Sequence, residues 1–445
     1  MNARELALAV VRDVFPPAES TALERGAQES LDYRARKSGA SGRDRAFATE
    51  LAYGSIKMRR TLDWYLEPFV GSRTQALPDA IREILRLATY ELIFTQPDAH
   101  ATVFEFVNLA KRYGHRGLAN LVNAVLRGLL RGRPAAPGRE SFESDDDYLG
   151  VAYSLPTWLV RQWREVFADR AEAVCAAVND PARTAIVVNT RKNGRDEVAE
   201  RLRAAGVATS PSATVPESLL ADGAGGTLHA LESGADGAWW TQSESSAMAV
   251  DILNPQPGEA VLDVCSGRGN KALQIGARLA GEGSLTCLER DPRKAAALIR
   301  RLESGDVTAA VVVGDATGEL LSEHQDFDRI LIDAPCSGVG VIGRHPEARW
   351  KKQGADGERL AALQRALLER AARHVRAGGT LVYAVCSTDP RETTDVVNAF
   401  VSRENFERGL VPAAYEAFLT AEGDVLVPPG IDGRDGFFFA RLERR

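Results

Sequence analysis

From Trp239 onward, short apolar runs alternate with amphipathic helical segments, and few folds accommodate that alternation. The pattern predicts strands at Ala260–Val264, Ser284–Leu288, Ala309–Val313, Arg329–Ile332 and Thr380–Val385. It places helices at Lys271–Leu279, Pro292–Leu302 and Gly357–Val375 between them. Parallel strands need a crossover between them, and a helix is the usual one, so a parallel doubly wound sheet with helices on both faces is expected. Ligands of such sheets bind beyond the carboxyl ends of the strands. Polar residues gather at those ends: Cys265 to Lys271 after the first strand, Glu289 after the second, Gly314-Asp315 after the third, Asp333 after the fourth and Cys386 after the fifth.

The first of these ends reads Cys265-Ser266-Gly267-Arg268-Gly269-Asn270-Lys271. Its glycines let the backbone turn sharply beside a helix N-terminus that offers free N–H groups. Glu289 is placed to accept hydrogen bonds from ribose hydroxyls, and Asp315 from an adenine amino group. Loop and acids together fit an adenosine-bearing cofactor, without separating NAD from S-adenosylmethionine.

Besides Cys265 in the glycine loop, two of the five cysteines, Cys336 and Cys386, follow strands at this same edge. The absence of a C-x-x-C pair argues against a zinc site or a disulfide framework, and no metal is expected. Cys175 and Cys287 read as small buried hydrophobes. Thiolate addition at C6 of a pyrimidine turns C5 into an enamine carbon that can attack an electrophilic methyl group. That chemistry needs a thiolate, a hydrogen-bonding group near the ring and a means of expelling the sulfur afterwards.

Ahead of the sheet, residues 1–133 read as all helix, with one-face spacing after Pro78, over Ala101–Tyr113 and over Leu118–Leu130. Residues 134–147 read as a linker ending in an acidic run, and 148–237 as a small α+β subdomain. Residues 238–445 are the α/β domain. Formal charge divides unevenly, +5 on the first 133 residues and −11 on the rest. A basic turn, Lys111-Arg112-Tyr113-Gly114-His115-Arg116, combines cations with an aromatic ring, a pairing that can hold a phosphate backbone and stack a base. With no apolar run near eighteen residues and no leader pattern, a cytoplasmic monomer away from membranes is expected.

D-A-P-C-S-G-V-G with R-H-P-E-A-R-W after it, Y-A-V-C-S, and D-V-C-S-G-x-G-x-K resemble the motifs of the RNA cytosine-C5 methyltransferases of the Sun/Nop2 family. Leu121–Arg127 (L-V-N-A-V-L-R) and A-K-R-Y-G-H-R resemble the NusB-like head of its bacterial small-subunit rRNA member. Gly436–Ala440 resembles the family's closing strand, and Gln242–Ser246 its lead-in to the catalytic domain. The resemblance spans nearly the whole chain. It implies a multidomain protein: an all-α NusB-like head, a small RRM-like α+β subdomain and a Rossmann-like class I methyltransferase domain. S-adenosylmethionine would be the cofactor and a cytosine of small-subunit (16S) rRNA, free or in early assembly, the substrate.

By the same resemblance, Cys386 is the nucleophile that attacks C6, Cys336 assists release of the product, and Asp333 hydrogen-bonds near the cytosine and the methyl donor. Cys265, Ser266, Gly267, Arg268, Gly269, Asn270, Lys271, Glu289, Asp315 and Asp333 would line the cofactor. Lys111, Arg112, Arg116, Arg344, His345 and Arg349 would meet RNA. The chain departs from the family at several positions. Arg268 stands for a proline and Asn270 for a glycine, which asks asparagine to tolerate a left-handed backbone. Val385 replaces a threonine, and Arg391 an acid beside the retained Glu392. The same chemistry on tRNA, a DNA methyltransferase using Cys336 as nucleophile, and an RNA-binding factor with a decayed cofactor loop are the competing readings.

Overall fold

Seven helices occupy the head of the computed structural model, which describes every residue except 18–24, 72–75, 222, 320, 323 and 324. They are α1 (Ala3–Val14), α2 (Ala27–Ser38), α3 (Gly42–Lys57), α4 (Arg59–Val70), α5 (Asp79–Phe94), α6 (Ala99–Tyr113) and α7 (Arg116–Gly132). Their starts follow local chemistry. Asn2 and Glu5 form a reciprocal capping box, Ser41 caps α3 and Asp98 caps α6. The apolar stripes meet in one core containing Leu6, Leu51, Ile84, Phe106 and Leu126.

The expected linker is partly helix. Ser144 caps α8 (Asp145–Ala152), and the acidic run Asp145-Asp146-Asp147 is its first turn, where the helix dipole favours negative charge. The Thr61 hydroxyl donates to the Val151 carbonyl, and Arg60 Nη1 donates to the Leu155 carbonyl at 2.8 Å. Met1–Glu165 therefore form one compact unit, together with Arg344–Lys351 from far along the chain; Val166–Gly343 and Lys352–Arg445 form the second.

In chain order, α9 (Thr157–Phe167) and α10 (Ala171–Ala177) precede an antiparallel sheet of order β2-β3-β1-β4. Its strands are β1 (Thr184–Val188), β2 (Ser210–Pro211), β3 (Ser218–Ala221) and β4 (Trp239–Thr241), with α11 (Arg195–Ala204) and α12 (Gly225–Glu232) between them. After α13 (Glu244–Leu253) comes the larger sheet. Its first strands and helices alternate as β5 (Ala260–Val264), α14 (Asn270–Arg278), β6 (Ser284–Glu289), α15 (Pro292–Ser304), β7 (Ala310–Val313) and β8 (Phe327–Asp333). The short turn α16 (Ala348–Lys351) lies in the first unit. Then follow α17 (Asp356–Ala372), β9 (Val375–Val385), α18 (Thr394–Val401), β10 (Phe406–Arg408), β11 (Val425–Val427) and β12 (Phe437–Arg444).

The order is β10-β12-β9-β8-β5-β6-β7, with β11 beside β12. Strands β9, β8, β5, β6 and β7 are mutually parallel, as expected. The sheet as a whole is mixed, however, because β12 runs antiparallel to β9, β10 and β11. β9 also begins five residues before the expected Thr380. Gly378-Gly379, poor helix formers, end the helical tendency early, and Val375 pairs with Phe327 across a register shift. Side-chain alternation sends Leu331, Val382 and Phe439 to one core and Ile330, Ile332, Tyr383 and Phe438 to the other. Among the described residues, no helix is long and apolar enough to cross a membrane.

Candidate active site

The loop after β5 turns on three left-handed residues, Cys265 (φ +63°), Gly267 (φ +60°) and Gly269 (φ +91°). A Cβ at Gly269 would also come within 2.5 Å of Leu298 Cδ1. Asn270 is not one of these residues. It is the first residue of α14, and its side-chain amide donates to the Thr241 carbonyl at 3.2 Å. Replacing glycine there asks for no backbone strain, which corrects the expectation of a left-handed asparagine.

Glu289 is buried, and its carboxylate accepts from the Gly267 and Asp291 amides, both at 2.8 Å. It thereby shapes the loop, and each oxygen keeps a lone pair for a further donor. Asp315 is exposed and bonds the amide and hydroxyl of Thr317. Asp263, the last residue but one of β5, is not among the residues expected at the site. It is fully buried, and neither carboxylate oxygen has a partner. Burial pushes its carboxyl up to about 7, against the pull of the nearby Ser266 hydroxyl and of Lys271. An orphaned buried acceptor beneath a glycine loop suits a ligand that carries positive charge.

One strand over, Asp333 Oδ2 holds Lys271 Nζ at 2.7 Å. The sequence reading put Lys271 on the cofactor but did not foresee this pair, since 62 residues separate the partners. Strands β8 and β9 are hydrogen-bonded neighbours, so their ends bring Cys336 and Cys386 together with Sγ atoms 3.1 Å apart. The Gly340 amide donates to the Cys386 carbonyl at 3.1 Å. Gly340 has to be glycine, because a Cβ would meet the Gly436 carbonyl oxygen at 2.1 Å. Hydrogen bonding with Cys386, then burial, raises the Cys336 thiol well above its ordinary value. Cys336 is therefore a thiol at neutral pH, able to donate toward its neighbour. Cys265 is pushed up to about 12, first by burial and then by surrounding carboxylates, and is equally unreactive as a nucleophile.

The residues expected on RNA divide into two sets. Lys111, Arg112 and Arg116 are all exposed on the α6–α7 turn, where Arg112 pairs with Glu5 and Tyr113 lies under Arg12 at 5.4 Å. His345 is exposed and Arg344 half-buried. Arg349 is the correction. It is fully buried in the first unit, donating to the Ser154 carbonyl at 3.1 Å and the Lys57 carbonyl at 3.4 Å, and so is removed from any phosphate. Burial pushes its guanidinium down to about 9. Its neighbours behave likewise. Trp350 Nε1 donates to the Ile56 carbonyl at 2.6 Å, and Glu347 accepts from the Ala27 amide at 3.1 Å. The segment thus supplies groups for the C-terminal carbonyls of α3 and for the N-terminus of α2, which has no side-chain cap of its own.

With this geometry in place, three family descriptions match the chain. The NusB family covers residues 1–131, an RsmF/B-like ferredoxin-like domain covers 155–226, and 16S rRNA methyltransferase RsmB/F covers 250–443. The ribosomal RNA small subunit methyltransferase B of Thermus thermophilus is 35% identical, over 99% of this chain and 97% of that one. The protein of the same name in Serratia proteamaculans is 30% identical over 97% and 98%. The chain belongs to the 16S rRNA methyltransferase RsmB/F family. It is an rRNA methyltransferase with a NusB-like head, a ferredoxin-like subdomain and a Rossmann-like methyltransferase domain. Among solved structures, PH0851 aligns over 100% of this chain and 99% of its own at 23% identity, with a TM-score of 0.81. NSun6 from Pyrococcus horikoshii with SFG covers 65% of the chain at 18% identity and a TM-score of 0.58; both likenesses concern the fold alone.

Proposed function

We propose that this rRNA methyltransferase moves a methyl group from S-adenosylmethionine to C5 of a cytosine in small-subunit rRNA, through a covalent bond between Cys386 and C6. The observation that carries this reading is the pair of sulfur atoms 3.1 Å apart at the ends of β8 and β9, with Cys336 held as a thiol.

The residues at the ends of β5, β6 and β7 would hold the cofactor. The left-handed loop permits close backbone approach, and the orphaned Asp263 suits a ligand bearing sulfonium and ammonium charges. Bound there, S-adenosylmethionine supplies an electrophilic methyl group. Cys386 adds as a thiolate to C6, leaving C5 with enamine character. Asp333, oriented by Lys271, accepts a hydrogen bond from the ring's amino group. After transfer the C5 proton passes to solvent and the C6–S bond breaks, its electron pair returning to the Cys386 sulfur. The Cys336 S–H then donates to that sulfur and eases its departure.

A base reaches such a site only after leaving its stack, so rRNA that is free or in early assembly is the expected substrate. Lys111, Arg112 and Arg116 on the head, with Arg344 and His345, are the proposed phosphate contacts. The deciding experiment offers labelled S-adenosylmethionine with deproteinised small-subunit rRNA, large-subunit rRNA and tRNA. Label recovered as 5-methylcytosine in the small-subunit RNA supports the reading. Label in tRNA alone overturns the substrate, and full transfer by Cys386→Ala overturns the nucleophile.

A further inference from the structure

Behind the thiol pair lies Glu392, whose side chain is fully buried. Its Oε1 accepts from the Ser337 amide at 2.9 Å and from Gln364 Nε2 at 3.0 Å. Its Oε2 accepts from the hydroxyls of Ser337 and of Ser387, the latter at 2.6 Å. All four donors are uncharged. The adjacent Arg391 turns instead to Asp389 and the Gly354 carbonyl. The Glu392 backbone is held as well, its carbonyl accepting from the Tyr383 hydroxyl at 2.7 Å.

Ser337 is the residue after Cys336, and Ser387 the residue after Cys386. One carboxylate therefore grips both cysteine-bearing loops at the position next to the sulfur. The two serine hydroxyls stand 3.0 Å apart on it, and the two sulfurs 3.1 Å apart one residue away. Buried charges are as a rule paired with an opposite charge, so a carboxylate held by these neutral donors calls for a reason. A hydrophobic contact could pack the loops, but it would not set their separation to a fraction of an ångström as a shared acceptor does.

We propose that Glu392 is a positioning residue for the thiol pair: by binding the residue after each cysteine, it fixes the sulfur separation on which release of the methylated base depends. The release step rests on the covalent reading above, so the test reads sulfur spacing separately from chemistry. Phenylarsine oxide condenses with two thiols to form two As–S bonds and one water, and does so only where the sulfurs lie side by side. Full-length wild-type protein should close this ring, and Cys386→Ser should not.

Glu392→Gln puts a donor in place of one acceptor, while the double variant Ser337→Ala/Ser387→Ala removes both hydroxyl arms and leaves the carboxylate. Both variants should lose ring closure. Turnover on rRNA should fall by about 100-fold, with KM for S-adenosylmethionine held within about twofold and more RNA trapped as covalent adduct. Closure and turnover like the wild type in both variants would overturn the clamp. Lost closure with unchanged turnover would overturn its link to release. A wild-type chain that forms no adduct with any RNA would overturn the covalent reading itself, and the release step with it.

Discussion

In the helical head, Glu83 is 2% exposed and accepts from Arg59 at 2.9 Å and from Arg86 at 2.7 Å, while Asp63 takes the rest of the Arg86 guanidinium. At the ligand edge of the sheet, Asp263 is just as deeply buried, yet neither of its oxygens has a partner. Elsewhere in the second unit buried carboxylates follow the habit of the head: Glu217 has Arg278, Glu244 has Arg434 and Asp424 has Arg408. Charges that serve only the fold are neutralised within it. Asp263, Glu289 and Glu392 depart from this habit, and all three sit where β5, β6 and β9 deliver the proposed cofactor and the thiols. An uncompensated buried charge opposes folding, so its persistence at that edge points to a ligand or a geometry that repays it.

The contrast breaks most visibly in the head. Glu83→Ala leaves Arg59 buried without its carboxylate and Arg86 with Asp63 alone, and should cost about 4 kcal/mol. In thermal unfolding that appears as a fall of roughly 10 °C. Methyl transfer by the folded fraction at low temperature should be unchanged; a shift near zero would remove the distinction between the two kinds of site.

Asp263 should show the opposite behaviour. Its folded pKa of about 7 lies above its unfolded value, so the native state holds a proton that the unfolded chain has lost. Stability from this group is fully present below about pH 4 and declines as pH rises towards 7, by roughly 4 kcal/mol in all. Denaturant titrations across that window should slope downward for the wild type and lie flatter for Asp263→Asn. The variant should be the more stable protein at pH 8 and should bind S-adenosylmethionine at least about tenfold more weakly. Unaltered affinity would separate Asp263 from the cofactor.

Arg349→Gln tests a buried cation bonded to carbonyls and should cost about 2 kcal/mol of head stability, read from the unfolding midpoint. Rate effects are expected too, because Arg344–Lys351 begin eight residues after Cys336 in the same loop. Deleting the head would for the same reason strip this segment of its partners, so lost activity in such a deletion would not by itself measure RNA binding. The smallest effect belongs to the exposed turn. Lys111→Ala or Arg116→Ala should weaken binding to all RNAs alike and reduce the slope of log affinity against log salt by about 1 each. A loss confined to one RNA sequence would mean that the turn reads bases.

Much of the ligand edge was legible in advance because its signals are local. Strand periodicity located β5, β6, β7, β8 and β9, and the residue after each strand end followed without further assumption. Antiparallel β12 was visible only as a closing strand, since pairing partners leave no trace in a run such as Phe437-Phe438-Phe439. Asp263 was passed over because an acid inside a strand resembles a satisfied core polar group. The Asp333–Lys271 pair, and the bonds of Glu392 to Ser337 and Gln364, join residues far apart in sequence. Arg349 misled because R-H-P-E-A-R-W presents two arginines alike, and burial alone distinguishes the second of them.

The amino-acid order was enough to settle the helical head, the alternating sheet and the strand-end position of the two thiols, because helix caps, hydrophobic period and strand ends all act over a few residues. The 3.1 Å between those thiols was settled by folding, because it follows from which strands lie side by side. The same is true of the one carboxylate beneath both loops and of the burial of Arg344–Lys351 in the head. Each joins groups tens or hundreds of residues apart, and such distances exist only once the chain has packed.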